Sequence, residues 1–89
     1  MAYNKILHDT IISAVDNQLK ANNPPETKKT LQRLIGLGYS EQDSKKLIAQ
    51  CISVEIFRAM KFDESHDEER YKRNLNNLPN PPFDDDEDD

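Results

Sequence analysis

Few side chains in this 89-residue sequence stand where their type and spacing could do chemistry, and the first two are His8 and Glu55. At about 100° per residue, His8 falls between Val15 and Leu19 inside the apolar arc of a first helix, together with Gln18. Glu55 lies near the middle of the arc of a third helix, flanked by Ile48, Cys51, Ile52 and Ala59. A carboxylate among hydrocarbon neighbours is costly unless it is paired or neutral, so Glu55 calls for a partner or a raised pKa. The candidates are His8, Gln18 and Tyr39. Paired with His8, it could act as an acid/base couple or as half of a metal site. The alternative, which the sequence favours, is a hydrogen-bonded pair that fixes helix register, or a Glu55 that reaches solvent at the end of a bundle.

Other reactive types have simpler readings. Cys51 could be a nucleophile with His8 as its base, but a mid-helix thiol among Leu47, Ile48 and Ile52 is expected to be a small core residue, difficult to ionise. His66, between Ser65 and Asp67, is expected to be exposed near a helix cap. The chain has no glycine-rich phosphate loop, nucleophile elbow or Cys-x-x-Cys pair. The expectation is therefore a chain without catalytic residues and without a cofactor.

The order Leu7-His8, Asn17-Gln18, Pro24-Pro25-Glu26, Thr30, Arg33-Leu34, Gly38-Tyr39-Ser40 and Glu55-Ile56 resembles a domain-of-unknown-function family of small, all-helical bacterial proteins. The resemblance spans residues 3–78. Members of that family carry two His-x-x-x-His pairs, one in the first helix and one at the start of the third, which implies a metal site in those relatives. Here His8 is kept, but Ile12 stands at the second position of the first pair, and Gln42 and Lys46 occupy the second pair. A stable zinc or iron site needs three or four protein ligands, and His8 with Glu55 supplies two, while Lys46 would bring a like charge to the ion. The resemblance thus implies a fold and no metal.

The elements that must position these residues follow from composition and punctuation. Hydrophobic residues make up 35% and charged residues 33%, with no Trp and only two Gly, a mix that suits helices better than a glycine-turned β fold. Helical periods run over about Tyr3–Asn22, Glu26–Leu37 and Glu41–Lys61, separated by Asn22-Asn23-Pro24-Pro25 and by Gly36 and Gly38. Leu31, Leu34 and Ile35 mark the inner face of the second helix, with Arg33 turned outward. The third has the widest arc, from Leu47 to Met60, as a central helix should. A fourth helix begins after Asp67, with Tyr71, Leu75 and Leu78 as a narrow apolar stripe and correspondingly weak docking. The fold class expected is all-α, a small up-and-down bundle of three main helices and a short, weakly packed fourth. Residues 1–78 form the bundle and 79–89 a disordered Pro-rich acidic tail.

Charge and surface features carry the functional reading. The net charge of −5 is concentrated in Asp84, Asp85, Asp86, Glu87, Asp88 and Asp89; without them eleven acids face twelve bases, a net +1. The folded part offers no broad basic surface for nucleic acid, and the tail would repel phosphate. The apolar stretch Leu47–Phe57 is interrupted by Gln50, Ser53 and Glu55 and falls short of the about 20 residues of a membrane span. One cysteine and no signal-like leader fit a cytoplasmic protein. Phe57 falls on the polar side of the third helix, where it is either covered by Tyr71 and Leu75, the favoured placement, or open as an anchor for another chain or a second copy. Phe83 followed by Asp84, Asp85 and Asp86 could dock in a basic groove of a partner, or simply solubilise the chain. The function expected is a non-enzymatic protein-binding or adaptor module, with a degenerate site on His8 and Glu55 as the alternative.

Overall fold

Asn22 ends the first helix, α1 (Ala2–Ala21), by taking a left-handed φ of 51°. The N–H groups of Asn22 and Asn23 donate to the carbonyls of Leu19 and Gln18 at 3.2 and 3.1 Å, so acceptors that a helix end leaves open are satisfied. Pro24 is extended at the N-cap of α2 (Pro25–Gly36), and Pro25 opens that helix where an N–H would have no partner anyway. Gly38, at φ 110°, turns the chain away from α2 in a conformation a side chain would resist. Ser40 then caps α3 (Glu41–Phe62), its hydroxyl accepting the Asp43 N–H at 3.0 Å. Asp67 does the same for α4 (Glu68–Asn77), its carboxylate accepting the Arg70 N–H at 3.1 Å.

The computed structural model describes residues 2–65 and 67–82, with side chains from His8 onward, and is all-α with no strand among them. The expectations for His66 and for the tail residues Phe83, Asp84, Asp85 and Asp86 lie outside the described residues. No helix of the described residues is long and apolar enough to cross a membrane.

α3 is central. It packs against α1, α2 and α4, whereas α1 and α4 do not approach each other along their backbones. The core collects Ile11 and Val15 from α1, Leu34 from α2, Ile48, Ala49, Cys51 and Ile52 from α3, and Tyr71, Leu75 and Leu78 from α4 and its end. α2 and α4 run side by side in the same sense, since Thr27 meets Tyr71 near their starts and Arg33 meets Leu78 near their ends. Two apolar residues of the expected arcs are left uncovered: Ile35 is 44% and Met60 80% exposed.

The stripe foreseen for α4 is buried in full, and Arg70 and Asn74 are buried with it, so its docking is stronger than three apolar residues alone imply. Arg33, on the outward face of α2 by periodicity, adds to that hold. Its guanidinium donates to the carbonyls of Leu78 at 2.7 Å and Leu75 at 2.9 Å, serving the open acceptors at the end of α4. Replacing Arg33 by alanine is expected to cost about 1–3 kcal/mol, the worth of hydrogen bonds from a charged donor. A urea midpoint unchanged by Arg33→Ala would show that water serves those carbonyls as well.

Candidate functional site

Glu55 is the most deeply placed carboxylate described, 6% exposed, because α3 turns it toward the first turn of α4. Its partner is none of the three expected from the sequence. Arg70 donates from Nε to Oε2 at 2.7 Å and from Nη2 to Oε1 at 3.0 Å, a fork-on-fork pair, and the Asp67 N–H donates to Oε1 at 3.0 Å. Arg70 Nη1 extends toward Glu64 at 3.7 Å and Asp67 at 3.9 Å. Glu64 in turn accepts from Arg58 at 2.9 Å. The acids and guanidiniums therefore alternate through the corner between α3 and α4. The hydrogen bond it donates to Glu55 holds the Arg70 pKa above its ordinary value, and the Arg70 backbone N–H holds that of Asp67 below its own.

Gln18 was expected near Glu55 as a candidate partner, and it instead anchors a second buried polar group. Its Oε1 accepts from the Thr27 hydroxyl and from the Tyr71 phenol, each at 2.7 Å, with those two oxygens 3.3 Å apart. The cluster ties α1, α2 and α4 together, although α1 and α4 have no direct backbone contact. Tyr39, the remaining candidate, is exposed at the turn into α3.

Burial pushes the Tyr71 phenol up to about 12, and pushes the Cys51 thiol up to about 12 with the Glu55 charge adding to it. The unfolded chain loses these protons near 10.0 and 9.0, while the folded chain keeps them. Their contribution to stability is therefore complete below about pH 9 and is lost as pH rises toward 12, by up to about 1.4 kcal/mol per pH unit for each group. Urea unfolding at about pH 8 and about pH 11 should show that loss, and Cys51→Ala should reduce it. A curve equally steep in the variant would remove the thiol from the account.

His8 is exposed, contrary to its place in the apolar arc. It has the same helical angle as Val15, but at its height the neighbour is the polar start of α3. There it lines a hollow of about 310 Å³ with Ile12, Gln42 and Lys46. His8, Ile12, Gln42 and Lys46 thus converge on one hollow, and His8 is the one imidazole among them. Glu55 lines a different cleft, so the two residues do not form the candidate acid/base or metal pair. Among the described residues, no three of His, Cys, Asp and Glu stand close enough together to hold a metal ion.

Phe57 also departs from expectation. It is 49% exposed rather than covered by Tyr71 and Leu75. Two residues on from Glu55, it points about 200° away from the side facing α4, while Tyr71 and Leu75 are buried in the core. The Lys61 ammonium lies 5.3 Å from the Phe57 ring centre and 5.1 Å from that of Phe62, and the Arg58 guanidinium lies 5.0 Å from the Phe62 ring centre. On the side of α3 that carries Glu55, a cleft of about 220 Å³ is lined by Gln18, Ile52, Glu55, Ile56, Ala59 and Tyr71. Ile52, Ile56 and Met60, spaced by four on α3, lead from the cleft to the open surface.

Comparisons with protein-family models, with characterised proteins and with solved structures find no match to this chain.

Proposed function

We propose that this chain is a non-enzymatic protein-binding module of a bacterial cytoplasm, and that it engages its partner through the C-terminal end of α3. The observation that carries the reading is the exposure of Phe57 and Met60 near the end of α3, with Met60 continuing the line of Ile52 and Ile56 out of an apolar cleft. Exposed aromatic and methionine side chains are a recurrent composition of interface centres. The chemistry suits a segment that brings apolar side chains to Met60, the Phe57 ring and the mouth of the cleft. The buried polar groups support this reading, since Glu55 is held by Arg70 and Gln18 by Thr27 and Tyr71, which leaves them to position helices rather than to turn over a substrate.

The test is recovery of co-purifying proteins from the native host with the intact chain and with a variant carrying Phe57→Ala and Met60→Asp. A partner whose recovery falls by at least about tenfold supports the assignment, as expected for loss of central anchors. Equal recoveries place the interface elsewhere. The exposure of Phe57 also favours a second reading, a homodimer through the same face. Sedimentation that shows only monomer at high concentration removes the homodimer and leaves the hetero-partner.

A further inference from the structure

A separate groove lies between α1, α2 and the start of α3, on residues that the reading above does not use. It encloses about 480 Å³, with Leu19 and Leu31, both partly buried, as apolar floor. Its charged lining is Lys20, Lys28 and Lys45 with Asp16 and Glu41. The Lys45 ammonium is held by Asp16 at 2.9 Å and Glu41 at 3.4 Å, so both carboxylates of the groove are already matched. Lys20 and Lys28 are exposed and form no ion pair among the described residues. An apolar floor with spare cations at its rim fits a segment that offers one aromatic anchor followed by acids.

The sequence contains such a segment, Phe83-Asp84-Asp85-Asp86-Glu87-Asp88-Asp89. Arg33 pins the end of α4 against α2 through the carbonyls of Leu75 and Leu78. The adjacent residue on α2, Gln32, lines the groove. The chain turns after α4, where the Asn80 N–H donates to the Asn77 carbonyl at 2.9 Å. The seven residues that follow Pro82 have a contour length of up to about 25 Å, against about 10–12 Å across a helix. That length is enough for acids of the segment to come within range of Lys20 and Lys28. Six neighbouring acids repel one another, so bringing them to Lys20 and Lys28 relieves unfavourable charge as well as adding attraction. A short tether also raises the local concentration of the segment to the millimolar range, so weak contacts suffice.

We infer that the groove of α1, α2 and α3 is a docking surface for an acidic segment with an aromatic anchor, and that Phe83–Asp89 of the same chain is its occupant. An acidic partner segment would compete for it.

Amide NMR spectra of the dilute full chain and of a chain ended after Pro82 test the assignment. The expected result is that the signals of Leu19, Lys28 and Leu31 differ between the two, and that the difference shrinks at least about fivefold in about 0.5 M salt. In the full chain, Lys20→Glu with Lys28→Glu should move the Leu19 and Leu31 signals to their positions in the shortened chain. Unchanged groove signals overturn the inference. So do changes centred on Phe57 and Met60, or changes that grow with protein concentration and so point to a second copy. The readout lies on a different face from the proposed partner site, so failure here leaves that reading standing.

Discussion

Replacing Arg70 by methionine is expected to destabilise the fold by about 3–5 kcal/mol, the cost of leaving a buried charge without its partner. For a chain of this size the whole folding free energy is about 5–10 kcal/mol. The single change would therefore remove about half of it. The reason is asymmetry. Glu55 is 6% exposed, and both of its oxygens accept from the Arg70 guanidinium. The converse substitution, Glu55→Leu, should cost less, because Arg70 retains Glu64 at 3.7 Å and Asp67 at 3.9 Å. The double variant Glu55→Leu with Arg70→Met should recover most of the loss, since hydrocarbon in place of a buried ion pair is often neutral or better. Urea unfolding of the four proteins measures the cycle. A double variant no more stable than Arg70→Met would mean that the pair was selected for its own energy and not for the register it sets between α3 and α4.

Much of this fold was legible because its punctuation is chemical. Prolines at 24 and 25, Gly38, Ser40 and Asp67 each act at a helix end through a donor, an acceptor or a dihedral angle, and the observed helices begin and end within a residue or two of the expected limits. The inward angle of Glu55 was legible as well, from its place between Ile48, Ile52 and Ala59. What it meets was not. Periodicity gives an angle around an axis, and says nothing about height along it or about the element opposite. His8 shares its angle with Val15 yet stands beside Gln42 and Lys46, where no core remains. Met60 continues the line of Ile48, Ile52 and Ile56 beyond the last residues able to cover it.

Arg70 was missed for a related reason. It sits one residue before Tyr71 in a helix whose stripe looked narrow, as Asn74 sits one residue before Leu75, and polar type alone left both out of the stripe. The usable signal was the unmet need of Glu55 for a cation, taken with a helix start that would bring an arginine close to the end of α3. Two unmatched features in one sequence, a carboxylate turned inward and an arginine on the flank of a stripe, point to each other once the connection between α3 and α4 is short. The candidate surface was harder still, because exposure of Phe57 depends on where α4 lands, and α4 lands on the other side of α3.

Tyr71→Ala should show how that landing is held. Tyr71 is the largest fully buried side chain described, and it is the point where the apolar core meets the cluster of Gln18 and Thr27. Truncation to alanine is expected to cost about 3–5 kcal/mol, as removal of a buried aromatic ring does. It also strips the far wall from the cleft beside Ile52 and Ile56. Tyr71→Phe keeps the ring and deletes one of two donors to Gln18 Oε1, while Thr27 still supplies the other, so its cost should be only about 0.5–1.5 kcal/mol. Amide exchange separates the causes: in Tyr71→Ala the amides of α4 should lose protection before those of α3, because the ring seats the first half of α4 against α1 and α2 and its loss leaves that half to Arg70. Equal costs for the alanine and phenylalanine variants would assign the anchoring of α4 to the phenol and its hydrogen bonds, and would make the polar cluster, rather than the core, the element that joins the fourth helix to the other three.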